Sequence, residues 1–454
     1  MEPSCKETRR SEGSPLNIVE IGRITISGGF EKMTMAGKTT GGPQKFRLIM
    51  RDGGIAREMG GELTEAVGAV DFLMRNALEI GASDVHLQPE RNRLLVRYRI
   101  DGVMHDVGQY NSDIVPNIFA RLKLAAGMHI DERREPQDGR LDMEYGTRKL
   151  SARMSCLPML NGEKIVMRLL DPMGAKVELE KLGMPPDVLA KWTSAIKSTY
   201  GLILVTGPTG SGKTSTLYAS INKLDREQRN IVTVEDPIEY EFSDHITQCQ
   251  VTEKLTFPRV MRSFLRQDPD VMLVGEMRDG ESLGIGIQAS LTGHMVLSSI
   301  HTNNSIETIG RMIDMGGEPF LIASTLQAVM AQRLVRTNCA ACKAPCQPPR
   351  DELIEVGLDP ERVKGHTFYA GKGCDACRGT GFKGRVGLYE IITSTPELRE
   401  MIARRAPVQQ ITEYVKVKQN MRTMLEDGYA KIAQGMTTPK EVFTAVYSTM
   451  SVNG

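Results

Sequence analysis

The residues most able to do chemistry run from Gly207 to Thr214. Gly207, Pro208, Thr209, Gly210, Ser211, Gly212, Lys213 and Thr214 fit the pattern G-x-x-x-x-G-K-[ST]. The residue types suit a polyphosphate. Glycines let the backbone curl until several N–H groups point into one hollow, and a helix beginning there adds positive potential. Lys213 can reach β- and γ-phosphates, and the Thr214 hydroxyl can ligate Mg²⁺. Residues 202–205 read as a buried strand leading into this loop, and residues 215–221 as a helix leaving it. That context separates a phosphate loop from a chance Gly-rich turn.

Carboxylates follow at the places such a loop would use them. A β-branched strand at 231–234 runs into Glu235-Asp236-Pro237-Ile238-Glu239, where an acid can orient Mg²⁺ or an attacking water. A second apolar strand, 271–274, ends at Gly275-Glu276. An acid at that tip is the Walker B arrangement with Glu in place of the usual Asp, and it makes Glu276 a magnesium candidate beside Thr214. The competing reading is a carboxylate that caps the turn at Arg278-Asp279. His294 and His301 flank the apolar run 295–300. Seven residues apart, they straddle it and cannot share one metal without extra loop structure. A lone His is more often a satisfied polar residue than a catalyst; a pair at both ends of a strand in this sheet could instead sense γ-phosphate or metal-bound water.

Cys339-x-x-Cys342 and Cys374-x-x-Cys377 are two knuckles. Four thiolates match a closed, tetrahedral structural Zn²⁺ site. Small residues after the second knuckle leave backbone N–H groups free to bond sulfur. A register using Cys346 stays open, and Cys5, Cys156 and Cys249 are isolated.

The chain that must position these groups has 454 residues, enough for two or three domains. Its net charge of +1 argues against a dedicated nucleic-acid binder. No apolar run is long enough to span a membrane, and the first residues contain no apolar signal core. A cytosolic protein is expected, with cysteines as thiols or metal ligands rather than disulfides. Residues 1–61 lack a sustained period and read as irregular, with one strand at 46–50. Residues 62–170 alternate helix and strand patterns as an α+β domain, including a helix at 62–80 stopped by Gly81 and an Asp101-Gly102 hairpin. Residues 171–186 read as a Gly/Pro linker. From 187 strands alternate with helices, as in a parallel sheet. A cysteine insert spans 339–381, and a mainly helical part completes the chain, 382–454.

Together, GPTGSGKT, VEDPIEY, LRQDPDVMLVGEMRD, TGHMVLSSIHTN, AQRLVR with the paired C-x-x-C, and GRVGLYEI resemble the type II secretion and type IV pilus assembly ATPase family. The resemblance runs from about residue 70 to the C-terminus, with ASDVHLQPE, RYRIDGVMHDV, PQDGR and GEKIVMRLLD in family order. It implies a hexameric ATPase with a PAS-like N-terminal domain and a RecA-like motor domain. It implies ATP, Mg²⁺ and Zn²⁺ as cofactors, an inner-membrane platform protein as partner, and a cytoplasmic location peripheral to the inner membrane. By the same resemblance Glu239 activates water, Glu276 is the Walker B acid and His294 and His301 form the His box. Arg153 and Arg168 are similar to the arginines that reach the γ-phosphate. Each lies opposite apolar neighbours on its strand, so each can point at a ligand.

Two departures stand out. Residues 1–61 are unlike the membrane-docking domain of full-length members, and Gln88 replaces a usual Glu. The cysteine module favours assembly or secretion over retraction. Secretion, pilus and DNA uptake stay open, with a nucleic-acid motor on the same core as the competing class.

Overall fold

The computed structural model describes residues 18–21, 24–27, 46–49, 62–170, 177–242, 244–361 and 363–447. Two compact units meet in sequence between Pro172 and Met173. In the first, strands β1 (Ile18–Ile21), β2 (Ile24–Ser27) and β3 (Phe46–Ile49) precede helix α1 (Glu62–Ile80). Then come β4 (Ala82–Pro89), β5 (Arg93–Ile100), β6 (Val103–Asn111), α2 (Val115–Ala126), β7 (Gln137–Tyr145), β8 (Arg148–Met159) and β9 (Gly162–Leu170). The nine strands form one sheet, β1-β2-β6-β5-β4-β9-β8-β7-β3. The expected strand at 46–50 is β3. Two further strands, β1 and β2, stand in a stretch that the sequence reading left irregular, and the rest of 1–61 lies outside the described residues.

Alternation builds this sheet. Leu94, Val96 and Tyr98 of β5 are buried against Val70, Leu73, Met74 and Ala77 of α1 and Ile118 and Leu122 of α2. The Tyr98 hydroxyl donates to the Leu73 carbonyl at 2.8 Å, which fixes α1 on the sheet. Asp101 and Gly102 both have positive φ, 49° and 88°, as a two-residue type I′ hairpin requires.

The second unit opens with a short 3₁₀ turn, Leu179–Leu182, inside the stretch read as linker. Leu179 and Met184 are buried in this unit's core, so residues 177–186 pack with it. The elements that follow are α3 (Pro186–Ile196), β10 (Gly201–Thr206), α4 (Lys213–Lys223), β11 (Ile231–Glu235), β12 (Ile246–Gln250), α5 (Phe257–Phe264), β13 (Val271–Val274), α6 (Gly280–Leu291), β14 (Met295–Ile300), α7 (Glu307–Asp314), α8 (Pro319–Thr325) and β15 (Leu326–Asn338). A two-stranded sheet, β16 (Lys343–Cys346) and β17 (Phe368–Gly371), brackets α9 (Arg350–Glu355). The chain closes through β18 (Phe382–Thr393), α10 (Pro396–Ala403), α11 (Val408–Lys418), α12 (Met424–Ala433) and α13 (Pro439–Tyr447).

The main sheet is ordered β12-β11-β13-β14-β10-β15-β18. All its pairs are parallel except β15 with β18. Every residue of β10, β11, β13 and β14 is buried, as parallel strands covered on both faces should be. Leu202 and Leu204 face one core with Leu283 and Ile287 of α6. Ile203 and Val205 face the other with Trp192 of α3 and Leu217 of α4. The α/β architecture and helical C-terminus read from sequence are present. However, 382–393 is a strand, because its buried run Val386–Ile392 pairs with β15; a short apolar run does not by itself distinguish strand from helix.

A candidate phosphate site and a four-cysteine centre

The phosphate loop leaves the carboxyl edge of β10, where open α/β sheets bind ligands. Gly207, Gly210 and Gly212 have φ of 149°, 79° and 90°, a curl that L side chains resist. A Cβ on Gly207 would also lie 2.5 Å from the Gln332 carbonyl of β15. Lys213 donates through Nζ to the Gly207 and Pro208 carbonyls at 2.8 and 3.1 Å, so the ammonium bends over the loop. Burial lowers its pKa to about 8; Glu276 opposes that drop and Arg333 adds to it. Thr214 is exposed in the first turn of α4, open to a metal, and Thr209 and Gly210 are exposed at the loop tip.

Glu276 follows β13, two strands from β10 in the sheet. It is mostly buried, with a side chain 15 % exposed. Arg278 pairs with one of its oxygens, and His301 Nε2 is 3.4 Å from the other. The capping alternative falls to a different residue, since Asp279 accepts from the Ser282 N–H at 2.8 Å and starts α6. Along β11, Glu235 is buried and accepts from Thr233, Tyr218 and Gln248. Burial raises its carboxyl pKa despite those bonds, and the Glu239 charge raises it further. Glu235 is therefore spent on the core, while Glu239 is half-buried close by.

The two histidines do not form one site. β14 is parallel to β10, with Met295 opposite Gly201 and Ile300 opposite Thr206. His301 thus emerges beside the phosphate loop. His294 lies at the other edge, about 23 Å away at strand rise, where its Nδ1 contacts the Ala289 carbonyl at 2.9 Å and Thr292 Oγ1 at 3.0 Å. Within this chain His294 contacts the end of α6 at the foot of the sheet, and the sheet's direction keeps it apart from His301.

Arg153 and Arg168 belong to the first unit. They are directly opposite on β8 and β9, and Arg153 is also opposite Arg140 of β7. Arg168 is opposite Asp84, and its Nε lies 3.1 Å from Asp84 Oδ1. Like charges facing one another across strands repel, and carboxylates offset the row: Asp84 pairs with Arg168 and Asp142 with Arg140.

Cys339, Cys342, Cys374 and Cys377 converge, all four sulfurs lying within 4.8 Å of one another. Sγ–Sγ distances are 3.9 Å for Cys339–Cys374, 3.7 Å for Cys342–Cys377 and 3.8 Å for Cys374–Cys377. Close backbone approach brings the knuckles together: a Cβ on Gly371 would sit 1.9 Å from the Gly381 carbonyl oxygen. Burial raises the Cys377 thiol pKa, but N–H bonds from Cys374 and Gly381, both 3.2 Å, bring it below its ordinary value. Cys346 lies outside the cluster.

Two residues at the phosphate site stand in the motif AQRLVR and had no role assigned from the sequence. Gln332 and Arg333 are polar, yet only 1 % and 4 % exposed within β15. The available signal was a Gln-Arg pair inside the apolar run AVMAQRLV.

A family model described as "Type II/IV secretion system protein" matches residues 63–444. The type II secretion system protein E of Pseudomonas aeruginosa is 42% identical over 375 residues, 82% of this chain and 74% of that protein. The type IV pilus assembly ATPase PilB of Myxococcus xanthus is 41% identical over 380 residues, 83% of this chain and 67% of that protein. Among solved structures, the pilus retraction motor PilT with bound ADP superposes with a TM-score of 0.56 at 27% identity, covering 82% of this chain and 95% of that one. The Legionella pneumophila ATPase DotB shares the fold, with a TM-score of 0.61 at 20% identity over 86% of this chain and 96% of that one. With a phosphate loop and a strand-end acid in the fold of these ATPases, the chain belongs to the type II/IV secretion system proteins and is an ATP hydrolase.

Proposed function

We infer that ATP hydrolysis by this chain powers assembly of a pilus or pseudopilus, as a homo-hexamer acting on an inner-membrane platform protein from the cytoplasmic side. The observation that carries the reading is the convergence of Lys213, Thr214, Glu276 and His301 at one sheet edge, in a chain more than 40% identical to secretion and pilus-assembly ATPases. Lys213 and the loop N–H groups bind the phosphates. Thr214 and Glu276 are the residues to hold Mg²⁺, which when bound neutralises phosphate charge. Glu239 takes the proton of the attacking water. Arg153 and Arg168 of the α+β domain, 62–170, are the arginines to answer γ-phosphate charge, as in the family this chain resembles.

The four cysteines hold a structural Zn²⁺. A tetrahedral site with Zn–S bonds of about 2.3 Å has S–S edges of about 3.8 Å, and the three Sγ–Sγ distances of 3.7 to 3.9 Å match it.

Steady-state hydrolysis of Mg·ATP by the full chain tests the core of this reading. Lys213→Ala should remove turnover with the fold retained. Glu239→Gln should bind ATP and turn over far more slowly. Wild-type turnover in Glu239→Gln would transfer the water-activating role to another acid.

A further inference from the structure

β15 outruns β10. Their pairing ends at Thr206 opposite Ala331, so Gln332 and Arg333 stand level with the start of the phosphate loop. Successive residues of a strand point to opposite faces, and the two bond to different loops. Gln332 Nε2 donates to the Ser211 carbonyl at 2.7 Å, and its Oε1 accepts from Thr216 Oγ1 of α4 at 2.8 Å. One side chain thus grips the phosphate loop and the helix leaving it. On the other face Arg333 donates through a terminal nitrogen to the Asn303 carbonyl at 2.9 Å, while its second donates to the Gln332 carbonyl at 3.1 Å.

Asn303 belongs to the loop that carries His301 towards Glu276. The same loop is held by Thr302, whose N–H donates to Thr206 Oγ1 at 2.8 Å. It is also held by Ser305, whose N–H and hydroxyl donate to buried Glu390 of β18 at 3.0 and 2.6 Å. Glu390 is opposite Ala331, so it shares a face with Arg333 and lies close enough to favour its charge. Arg333 is 4 % exposed, and its Nε has no hydrogen-bond partner. A buried guanidinium left partly unsatisfied is costly. Apolar side chains would fill β15 at less cost, so packing alone does not account for a Gln-Arg pair here.

We propose that Gln332 and Arg333 are positioning residues of the hydrolytic site: Gln332 holds the phosphate loop in its receptive curl, and Arg333 holds the His301 loop against Glu276. One strand thereby keeps the phosphate-binding and acid-bearing sides of the site in register. Neither side chain touches the reacting atoms; each acts through a backbone carbonyl. The proposal rests on the hydrolase reading.

The test separates the two roles by measuring kcat and the Kd of a fluorescent ATP analogue on the full chain. Loss of a charge-assisted hydrogen bond is worth roughly 10- to 100-fold. Arg333→Met should therefore lower kcat by at least about tenfold with Kd nearly unchanged, and Arg333→Lys should recover much of it. Gln332→Leu should instead weaken Kd. Wild-type kcat in a folded Arg333→Met, or a kcat that falls while Kd rises in step, overturns the Arg333 role. Should Arg333→Met fail to fold, Ser305→Ala decides the matter, because it removes one Glu390 bond to the same loop; an unchanged kcat there overturns the proposal. An unchanged Kd in Gln332→Leu overturns the other half. A wild-type chain without turnover would count against the hydrolase reading instead, and the Gln332→Leu affinity would still decide the loop.

Discussion

Lys213 shows how much one side chain depends on its pocket. Burial brings its pKa from 10.5 to about 8, against the pull of Glu276 and with the push of Arg333. The free enzyme therefore loses this cation just above neutrality. The profile of kcat/KM reports free-enzyme ionisations, so it should fall as pH rises through about 8; a flat profile up to about pH 10, near the ordinary lysine pKa, would mean the ammonium stays charged. The stability effect has the opposite sign. Between pH 8 and 10.5 the unfolded chain holds a proton that the folded chain lacks at this site. The contribution of Lys213 therefore disfavours the fold below pH 8, and that penalty is relieved as pH rises towards 10.5. Glu235 is instructive beside it: it belongs to the same acidic motif as Glu239, yet its carboxylate is buried and bonded within the core.

The cysteine module has two supports. Leu353 and Phe368 are buried in a core shared with Val335 of β15, Val386 and Leu388 of β18, and Met424, Ile432 and Val442 of the C-terminal helices. The proposed zinc at the knuckles would be the second, and structural zinc contributes apparent free energies on the order of 10 kcal/mol in small domains. Protein purified without chelator should contain one Zn per chain by elemental analysis. Cys374→Ser should abolish it and expose 339–381 to proteolysis. Absence of zinc in the wild type would remove the assignment. The C-terminal helices should survive that loss, because they are tied to β18 independently: Asp427 of α12 accepts from the Tyr389 N–H at 2.9 Å and pairs with Lys431 at 2.6 Å.

At the scale of the whole molecule the question is what Arg153 and Arg168 do. A γ-phosphate spreads charge over three oxygens, and one lysine answers only part of it. Arginines supplied from outside a nucleotide pocket are worth roughly 10³- to 10⁵-fold in rate. Replacing both by Ala should lower kcat far more than ATP affinity. If the chain works as the proposed hexamer, wild-type activity should rise more than linearly with protein concentration. Single-turnover hydrolysis at the wild-type rate in the double variant would reduce the row to surface charge.

The features legible in the sequence were those whose residues lie next to one another in the chain. The phosphate loop was, because its curl needs only local glycines and the strand and helix that flank it. So were the Asp101-Gly102 hairpin, the helix ended by Gly81 and the four-cysteine set, since turn geometry and C-x-x-C spacing are short-range. Sheet order was not legible, and it decided the rest. Parallel pairing of β14 with β10 sent His301 to the site and His294 to the far edge, although the two flank the same strand symmetrically in sequence. Pairing of β18 with β15 made 382–393 a strand. The extra length of β15 beyond β10 brought Gln332 and Arg333 against loops more than a hundred and about thirty residues earlier in the chain. Contacts of that range carry no local pattern; they exist only once hydrophobic burial has chosen which strands are neighbours.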